Sequence, residues 1–520
     1  MDKPAATMMT RLAPPRQANP SRIAVTPYNH SVPPVVVRKV FSFPAMLASI
    51  LLVLAVFTVR ARFDDPDLWW NLKTGEVIWT THTIPVTDLF SYTTNHHAWI
   101  PHEWLAQLVI YAAYRFGGFS GLMFLLLLLT TILLMAGYGL CALYSGNSKV
   151  AFLGAIIIWL FGTIGFAIRA QMIGYILLIV ELVLIELGRT RNPRWFFLLP
   201  VLFAVWINCH ASFILGVIVA AVIWASAFPT LRAGNVLSPL WEPESRRKLA
   251  IALLLSVVAL FLNPVGIRQI YYPIDTMLFM PVNLANVAEF GPLQMTEARG
   301  IALMGVLFVI VLLVMVGSSK IYFDELALLA IGTWLAVSHI RMLFVFGILA
   351  APILSRELKA SWDEYDAEKD RWPLNAGFIA LAAVAAFFAF PDQQSLQEQV
   401  AAKSPAKAVE YIKANHLVGP MLNTHEFGGY LIWALPEYPV FLDGRTDVFE
   451  WTGVLREFGA WATLQSDPAE LLNKYGVNFC LLNRDSPMVR VLPLLPGWKV
   501  IYSDANSVII ARNQARNLAG

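Results

Sequence analysis

The sequence predicts an α-helical polytopic membrane protein that carries a small α/β domain at its C-terminal end. Three observations predict it. Apolar residues make up 57% of the 520-residue chain and charged residues only 14%, whereas a soluble domain carries about 25% charged residues. Mean hydropathy is +0.60, and long apolar runs recur, such as LMFLLLLLTTILLMAGYGLCAL at 122–143. After Pro391 the composition changes, and short helical and strand-like stretches alternate. So much apolar surface has to be hidden in a bilayer. The same composition excludes disorder, collagen and coiled coil, and a net charge of +3 is too small to indicate nucleic acid.

Residues 1–40 form a Pro-rich, basic tail with no small-residue cleavage site ahead of the first apolar run, so that run is expected to be an uncleaved span. A helix needs about 20 apolar residues to cross a bilayer, and fewer inside a bundle. On that rule 41–390 is a transmembrane domain of about eleven helices, at 41–59, 122–143, 150–168, 172–188, 195–207, 211–228, 249–263, 301–317, 326–338, 341–355 and 374–390. Lys and Arg in the loops set the orientation. With the N-terminal tail in the cytoplasm, inner segments hold nineteen Lys and Arg and outer loops hold eight. Reading 104–116 (WLAQLVIYAAYRF) as a span would put Arg189, Arg191 and Arg194 outside, so it is expected to be an amphipathic helix at the outer interface. The C-terminal segment then lies outside.

That segment, 391–520, reads as an extracytoplasmic α/β domain tethered by 391–404. Helices are expected at 406–415 and 468–474, and strands at 440–442, 479–482, 499–502 and 507–511. Gly428-Gly429 and Asp443-Gly444 are expected to mark turns. Cys141, Cys209 and Cys480 are too few and too widely spaced for a disulfide framework or a CxxC metal site.

The long first outer loop, 60–121, carries the chemistry. It opens with Asp64-Asp65-Pro66-Asp67 directly after the first span. Three carboxylates in four residues repel one another, so the cluster is costly without a metal, a cation or a proton-transfer role. A helix at 68–79 offers the simpler reading that Asp65 or Asp67 caps it. Asp88, His96-His97 and His102-Glu103 follow. The pattern HHx4HE has enough nitrogen and oxygen for zinc, but histidines in an exposed loop without a metal are the better reading, and no metal ligand is assigned.

Other outer ends carry Arg169 and Gln171, Asn208 and His210, Asn263, and His339 and Arg341. One arginine snorkelling to head groups explains itself. Asn and His beside the arginines at successive outer ends point to a shared polar cavity on the face that holds the acidic cluster. Glu181, in mid-span, is a functional candidate by its position or a partner for a neighbouring helix. In the C-terminal segment, Asp443, Arg445 and Asp447 follow a predicted strand, where α/β folds place ligand loops. Asp and Arg there also read as a pair that fixes a turn, and His425 and Glu426 occupy a comparable position.

At these residues the chain resembles the GT-C class of polytopic membrane glycosyltransferases. The likeness extends to bacterial galacturonic-acid, aminoarabinose and protein-mannosyl transferases that use polyprenyl-phosphate sugars. It rests on DDPD after the first span, on DPDLWWNLKTGEVI…PVTDLFSYT…WIPHEWL, and on FGGYLIWALPEYPVFLDGRTD. Better-known members carry Asp-Glu at the acidic motif; here the pair is Asp-Asp, followed by Asp67.

The resemblance implies transfer of a sugar from a polyprenyl-phosphate donor to a glycan, lipid or protein acceptor, outside the inner membrane of a bacterial cell envelope. It implies a carboxylate base from Asp65, Asp67 or Asp64, with Asp65 at the position the family marks. Arg169, Arg341, His339 or His210 would meet the departing phosphate, with Gln171, Asn208, His102 and Glu103 as further substrate contacts. A divalent metal on the acidic cluster is the one cofactor the pattern allows. The contrasting reading is a transporter or a non-catalytic scaffold that displays the C-terminal domain. A transporter should show paired halves with polar groups at mid-membrane, and the polar residues here sit mainly at outer ends.

Overall fold

The computed structural model describes residues 35–62, 65–94, 96–230, 232–239, 241–281, 288–316 and 320–513. The chain divides into two units, Met1–Val40 and Phe41–Gly520. In the first, Val35–Val40 forms helix α1.

The second unit opens with α2 (Phe43–Val59), whose N-terminus is capped by the Ser42 hydroxyl accepting from the Ala45 N–H at 3.4 Å. Helix α3 (Asp67–Thr81) follows in the long loop, and α4 (Trp104–Ser145) follows that. Gly118, at φ 57° and ψ −144°, breaks α4 in two, so the piece expected at 104–116 is separate from the apolar piece after it. Gly121 makes the turn tight, since a Cβ there would lie 2.1 Å from the Ala113 carbonyl oxygen. Helices α5 (Ser148–Gly162) and α6 (Ala170–Thr190) come next. A 3-10 turn at Pro193–Leu198 then runs into α7 (Leu199–Cys209), and α8 (Phe213–Ala225) and α9 (Pro243–Ala259) follow. An unpredicted α10 (Ile267–Phe279) occupies the stretch between the apolar runs 249–263 and 301–317. The set closes with α11 (Ala298–Val316), α12 (Phe323–Ser338), α13 (Leu343–Leu358) and α14 (Trp372–Ala389).

Each of the eleven apolar stretches thus contains a helix, although the one expected at 150–168 ends at Gly162 and residue 317 lies outside the described residues. Four helices, α4, α6, α11 and α14, are long and apolar enough to cross a membrane by length and composition. Helix α13 is buried almost all round and sits at the centre. Helix α14 buries only Asn375 and leaves Phe387 and Phe388 about four-fifths exposed, a surface suited to hydrocarbon rather than water. Glu181 is fully buried in α6 and has no hydrogen-bond partner among the described residues, so of its two sequence readings the bond to a neighbouring helix is not seen there.

The loops read as inner gather at one end of the helices. Arg189 bonds Glu186 and Asp324 at 2.5 and 3.1 Å, and Arg356 meets Glu325 and Glu357, each at 2.6 Å. Strands β1 (Arg232–Ala233) and β2 (Val236–Leu237) pair antiparallel, and β2 pairs in parallel with β3 (Ile321–Tyr322).

The C-terminal part holds α15 (Gln393–Lys403), α16 (Ala406–Ala414), β4 (Met421–Asn423), α17 (His425–Ala434), α18 (Thr446–Trp451), α19 (Val454–Ala462) and α20 (Pro468–Lys474). Strands β5 (Phe479–Asn483), β6 (Trp498–Ser503) and β7 (Ser507–Arg512) complete a sheet of order β4-β5-β7-β6, in which only β4 and β5 run parallel. Strand β5 is buried on both faces: Phe479 and Leu481 pack in one apolar cluster, and Cys480 and Leu482 in another.

Three local expectations are corrected. The 440–442 stretch is no strand of the sheet and makes a single parallel bridge from Val440 to Ser91. The Asn423 side chain takes its backbone bonds instead, accepting from the Phe441 N–H and donating to the Leu442 carbonyl, each at 2.8 Å. Gly428 and Gly429 lie inside α17, not in a turn. A Cβ on them would meet the Leu442 and Pro66 carbonyl oxygens at 2.2 and 2.5 Å, so glycine here serves close approach. The 391–404 stretch is mostly the helix α15, whose Leu396 and Val400 pack with Leu68 and Trp69, and is no free tether.

Candidate functional site

Opposite the inner loops, the ends of α2, α6 and α12 and the loops around them converge on one cavity of about 170 Å³, lined by Arg62, Asp65, Arg169, Gln171, Glu289 and Arg341 among others. Arg169 sits at its centre. The chain turns there at the start of α6, with Arg169 as an extended N-cap residue, so its side chain projects off the helix end. Its Nε and Nη2 donate to the two oxygens of Asp65 at 2.5 and 3.0 Å, a fork-to-fork pair. Nη2 also lies 3.3 Å from Asp67 Oδ2, and Nη1 donates to both Glu289 oxygens at 3.2 Å. Arg341 donates to Gln171 Oε1 at 2.7 Å, and its Nε lies 4.0 Å from Glu289.

Asp65 stands one residue before Pro66, the N-cap of α3, and lines the cavity. Its Oδ1 accepts from the Asp67 N–H at 3.0 Å at the start of α3 while the same carboxylate grips Arg169. Burial pushes the Asp65 carboxyl above its ordinary range, against the pull of Arg169. Asp67 is more open, and it accepts from Trp70 Nε1 at 3.1 Å. Asp64 lies outside the described residues.

Beside this cavity is a second polar group. His102 Nε2 and His210 Nε2 each lie 3.5 Å from Glu103 Oε1. The His102 ring stacks on Tyr272 with centroids 4.0 Å apart, and the Tyr272 hydroxyl donates to Asp447 Oδ2 at 3.2 Å. Burial pushes the His102 imidazolium down, but the hydrogen bond and charge of Glu103 outweigh it, and its pKa ends above the ordinary 6.5. His210 goes the other way, to about 4, because burial dominates and Arg341 opposes a second positive charge. Burial raises the Glu103 carboxyl, yet the His102 bond and the surrounding cations bring it below its ordinary range; burial leaves Asp447 raised.

Two predicted contacts hold the frame. Asn208 accepts from Trp104 Nε1 at 2.8 Å and donates to the Leu262 carbonyl at 2.9 Å. His339 Nδ1 bonds the Phe290 carbonyl oxygen at 2.8 Å, one residue from Glu289.

The Asp443–Arg445 pair fixes a turn, the plainer of the two sequence readings. Arg445 donates to both Asp443 oxygens at 2.8 and 2.6 Å and to Asp88 Oδ1 at 2.6 Å, between the rings of Phe90 and Trp99. This clamp sets Gly444 against the acidic motif, where a Cβ would lie 2.2 Å from Asp67 Oδ1. It also delivers Asp447 to Tyr272. His425 and Glu426 sit at the start of α17.

Arg62, Glu289 and Tyr272 were not singled out by sequence. Arg62 registers there only as an outer-loop charge, and the segments around Glu289 and Tyr272 carry no motif. Asp65, Asp67 and Glu289 spread around the guanidinium of Arg169, and among the described residues no three His, Cys, Asp or Glu side chains form a metal-ligand set. The HHx4HE pattern is not gathered either: His96 and His97 are exposed, while His102 is largely enclosed.

No protein-family model and no curated protein sequence matches the chain. Solved structures do. An oligosaccharyltransferase of Archaeoglobus fulgidus, tethered to an acceptor peptide, superposes with a TM-score of 0.54 at 12% identity, over 86% of this chain and 70% of that one. ArnT from Cupriavidus metallidurans in the apo state gives 0.52 at 12% identity, over 91% and 98%. The same ArnT bound to undecaprenyl phosphate gives 0.50 at 11%, over 89% and 97%. The chain has the GT-C fold. At this identity the likeness is one of architecture, and the chemistry within the GT-C fold has to be argued from the residues of this chain.

Proposed function

We propose that this protein is a membrane glycosyltransferase that moves a sugar from a polyprenyl-phosphate donor to an acceptor hydroxyl on the extracytoplasmic face. One observation carries the reading: in a GT-C fold, a single cavity holds Arg169 and Arg341, suited to a phosphate, and Asp65, suited to a proton, with Asp67 3.3 Å from Arg169 at its edge. The donor phosphate takes up N–H donors of Arg169 and Arg341. Arg169 then gives up part of its grip on Asp65, whose burial has raised its proton affinity toward that of a useful base. The acceptor oxygen bonds the anomeric carbon as the bond from that carbon to the phosphate oxygen breaks. The hydroxyl proton passes to Asp65, and the electron pair leaves on the lipid phosphate, held by the arginines. Asp67 is the second choice of base and Asp64 the third.

The same reading makes all eleven apolar helices spans, with the Met1–Val40 tail in the cytoplasm. It places 391–520 outside as an α/β domain, in a bacterial inner membrane. The gathering of the basic loops at the end opposite the cavity supports it. ArnT, of the same fold, binds undecaprenyl phosphate. The test is to incubate membranes holding the protein with radiolabelled polyprenyl-phosphate sugars and follow transfer together with release of lipid phosphate. Sugar-dependent release of lipid phosphate is expected for one donor. No release with any donor, from protein shown to be folded and membrane-inserted, would overturn the proposal.

A further inference from the structure

We propose that Glu289 occupies the anion seat between Arg169 and Arg341 and gives way when a phosphoryl group arrives. The inference rests on the donor-binding role proposed above for the two arginines. Both Glu289 oxygens accept from Arg169 Nη1 at 3.2 Å, and one lies 4.0 Å from Arg341 Nε. A phosphate oxygen pair would use those same donors. A carboxylate and a phosphate cannot share them closely, because like charges repel.

Of the carboxylates around Arg169, Glu289 is the one placed to leave. Its side chain is 32% exposed and has no other bond to hold it among the described residues, so it moves toward water at little cost. That of Asp65 is 5% exposed and tied to the Asp67 N–H, and that of Asp67, 27% exposed, is held by Trp70 Nε1 at 3.1 Å. The backbone beside Glu289 is pinned. His339 Nδ1 bonds the Phe290 carbonyl oxygen at 2.8 Å, the Ile340 N–H donates to the Gly291 carbonyl at 2.9 Å, and the Phe290 ring faces the Arg341 guanidinium at 5.4 Å. The displacement is therefore a swing of the side chain about a fixed backbone. Glu289 keeps the two cations neutralised while the seat is empty, and it sets a threshold that a neutral ligand does not pass by charge. His339 thereby becomes a positioning residue for Glu289.

The ligand chemistry is a phosphoryl anion, carried either by a lipid or by free phosphate. The test titrates inorganic phosphate, and separately undecaprenyl phosphate in nanodiscs, into the full-length protein and its Glu289→Gln variant. The amide keeps the shape and removes the competing charge, so phosphate should bind about five- to tenfold tighter. Adding Arg341→Ala to that variant should abolish the gain. Tightening is a readout that mere structural damage would not produce. Inorganic phosphate affinity that is unchanged, weakened or undetectable in Glu289→Gln overturns the inference. A gain in both arms supports a lipid-phosphate seat. A gain for inorganic phosphate with no lipid binding by either protein supports the seat while overturning the donor reading.

Discussion

Replacing Arg445 by leucine would remove the positive charge from a site with almost no water. The Arg445 side chain is 1% exposed, and those of Asp88 and Asp443 are fully buried. The guanidinium makes three side-chain bonds, of 2.8, 2.6 and 2.6 Å, and stacks between two aromatic rings. Asp88 would keep the Ser91 and Thr94 hydroxyls and the Phe90 N–H. Asp443 would keep the backbone N–H of residue 445. Breaking a buried pair by removing one partner costs about 3–5 kcal/mol, and most of that should fall on Asp443.

The assay is denaturant unfolding of the full-length protein in detergent, followed by the fluorescence of its tryptophans. Burial alone would raise the Asp88 carboxyl, but the Arg445 charge and the hydroxyl bonds hold it below its ordinary 3.8. A depressed folded pKa contributes stability that is present above the unfolded value and lost as pH falls through the folded one. In Arg445→Leu the buried Asp88 carboxylate should instead take up a proton early. The gap between wild type and variant should therefore be widest near about pH 7 and narrow toward about pH 4. Adding Asp443→Asn should recover roughly half of the loss, since a neutral amide tolerates burial better. A loss below about 1 kcal/mol, or one that does not change with pH, would refute the reasoning.

Asp65→Asn should lower turnover by about 10²–10⁴-fold with donor binding retained; full activity would move the base to Asp67, where the same substitution is then tested. Arg169→Ala or Arg341→Ala should weaken binding of a lipid-phosphate donor roughly ten- to a hundredfold, from the loss of charged hydrogen bonds. Unchanged affinity in both, by equilibrium binding, would assign them to head-group anchoring. His102, with its folded pKa raised above 6.5, contributes stability below that value that disappears as pH rises through the folded pKa. His102→Gln should therefore flatten the unfolding midpoint across that window, and a midpoint that still falls in the variant would point to another group. Because the native cysteines are buried, single cysteines at exposed Arg194 and Glu470 can report topology in intact cells. An impermeant thiol reagent should label the Glu470 position directly and the Arg194 position only after lysis; the opposite pattern would invert the orientation.

The sequence alone determines which apolar runs carry helices in the membrane-type region, though not α10. Apolar runs of span length cannot stay in water, and a backbone without water must bond to itself as helix. It also points to polar residues meeting at one set of helix ends, because apolar helices that alternate direction bring Arg169, His210 and Arg341 to the same side as Asp65. Within the C-terminal part, β5 and β7 are legible from β-branched and apolar runs bounded by turns. Tertiary structure decided the rest. Whether 440–442 joins the sheet depended on distant partners: the Val440 backbone pairs with Phe90 and Tyr92, and the Asn423 amide takes the Phe441 N–H and the Leu442 carbonyl. Gly428 and Gly429 look like a turn in any local window, and only the approach of two distant carbonyl oxygens explains them inside a helix. Glu289 carries no local signal, since one glutamate in a loop is ordinary until folding sets two arginines around it. Local propensity is written in neighbouring residues, whereas an electrostatic site is a sum over charges that only the closed fold brings within a few ångströms.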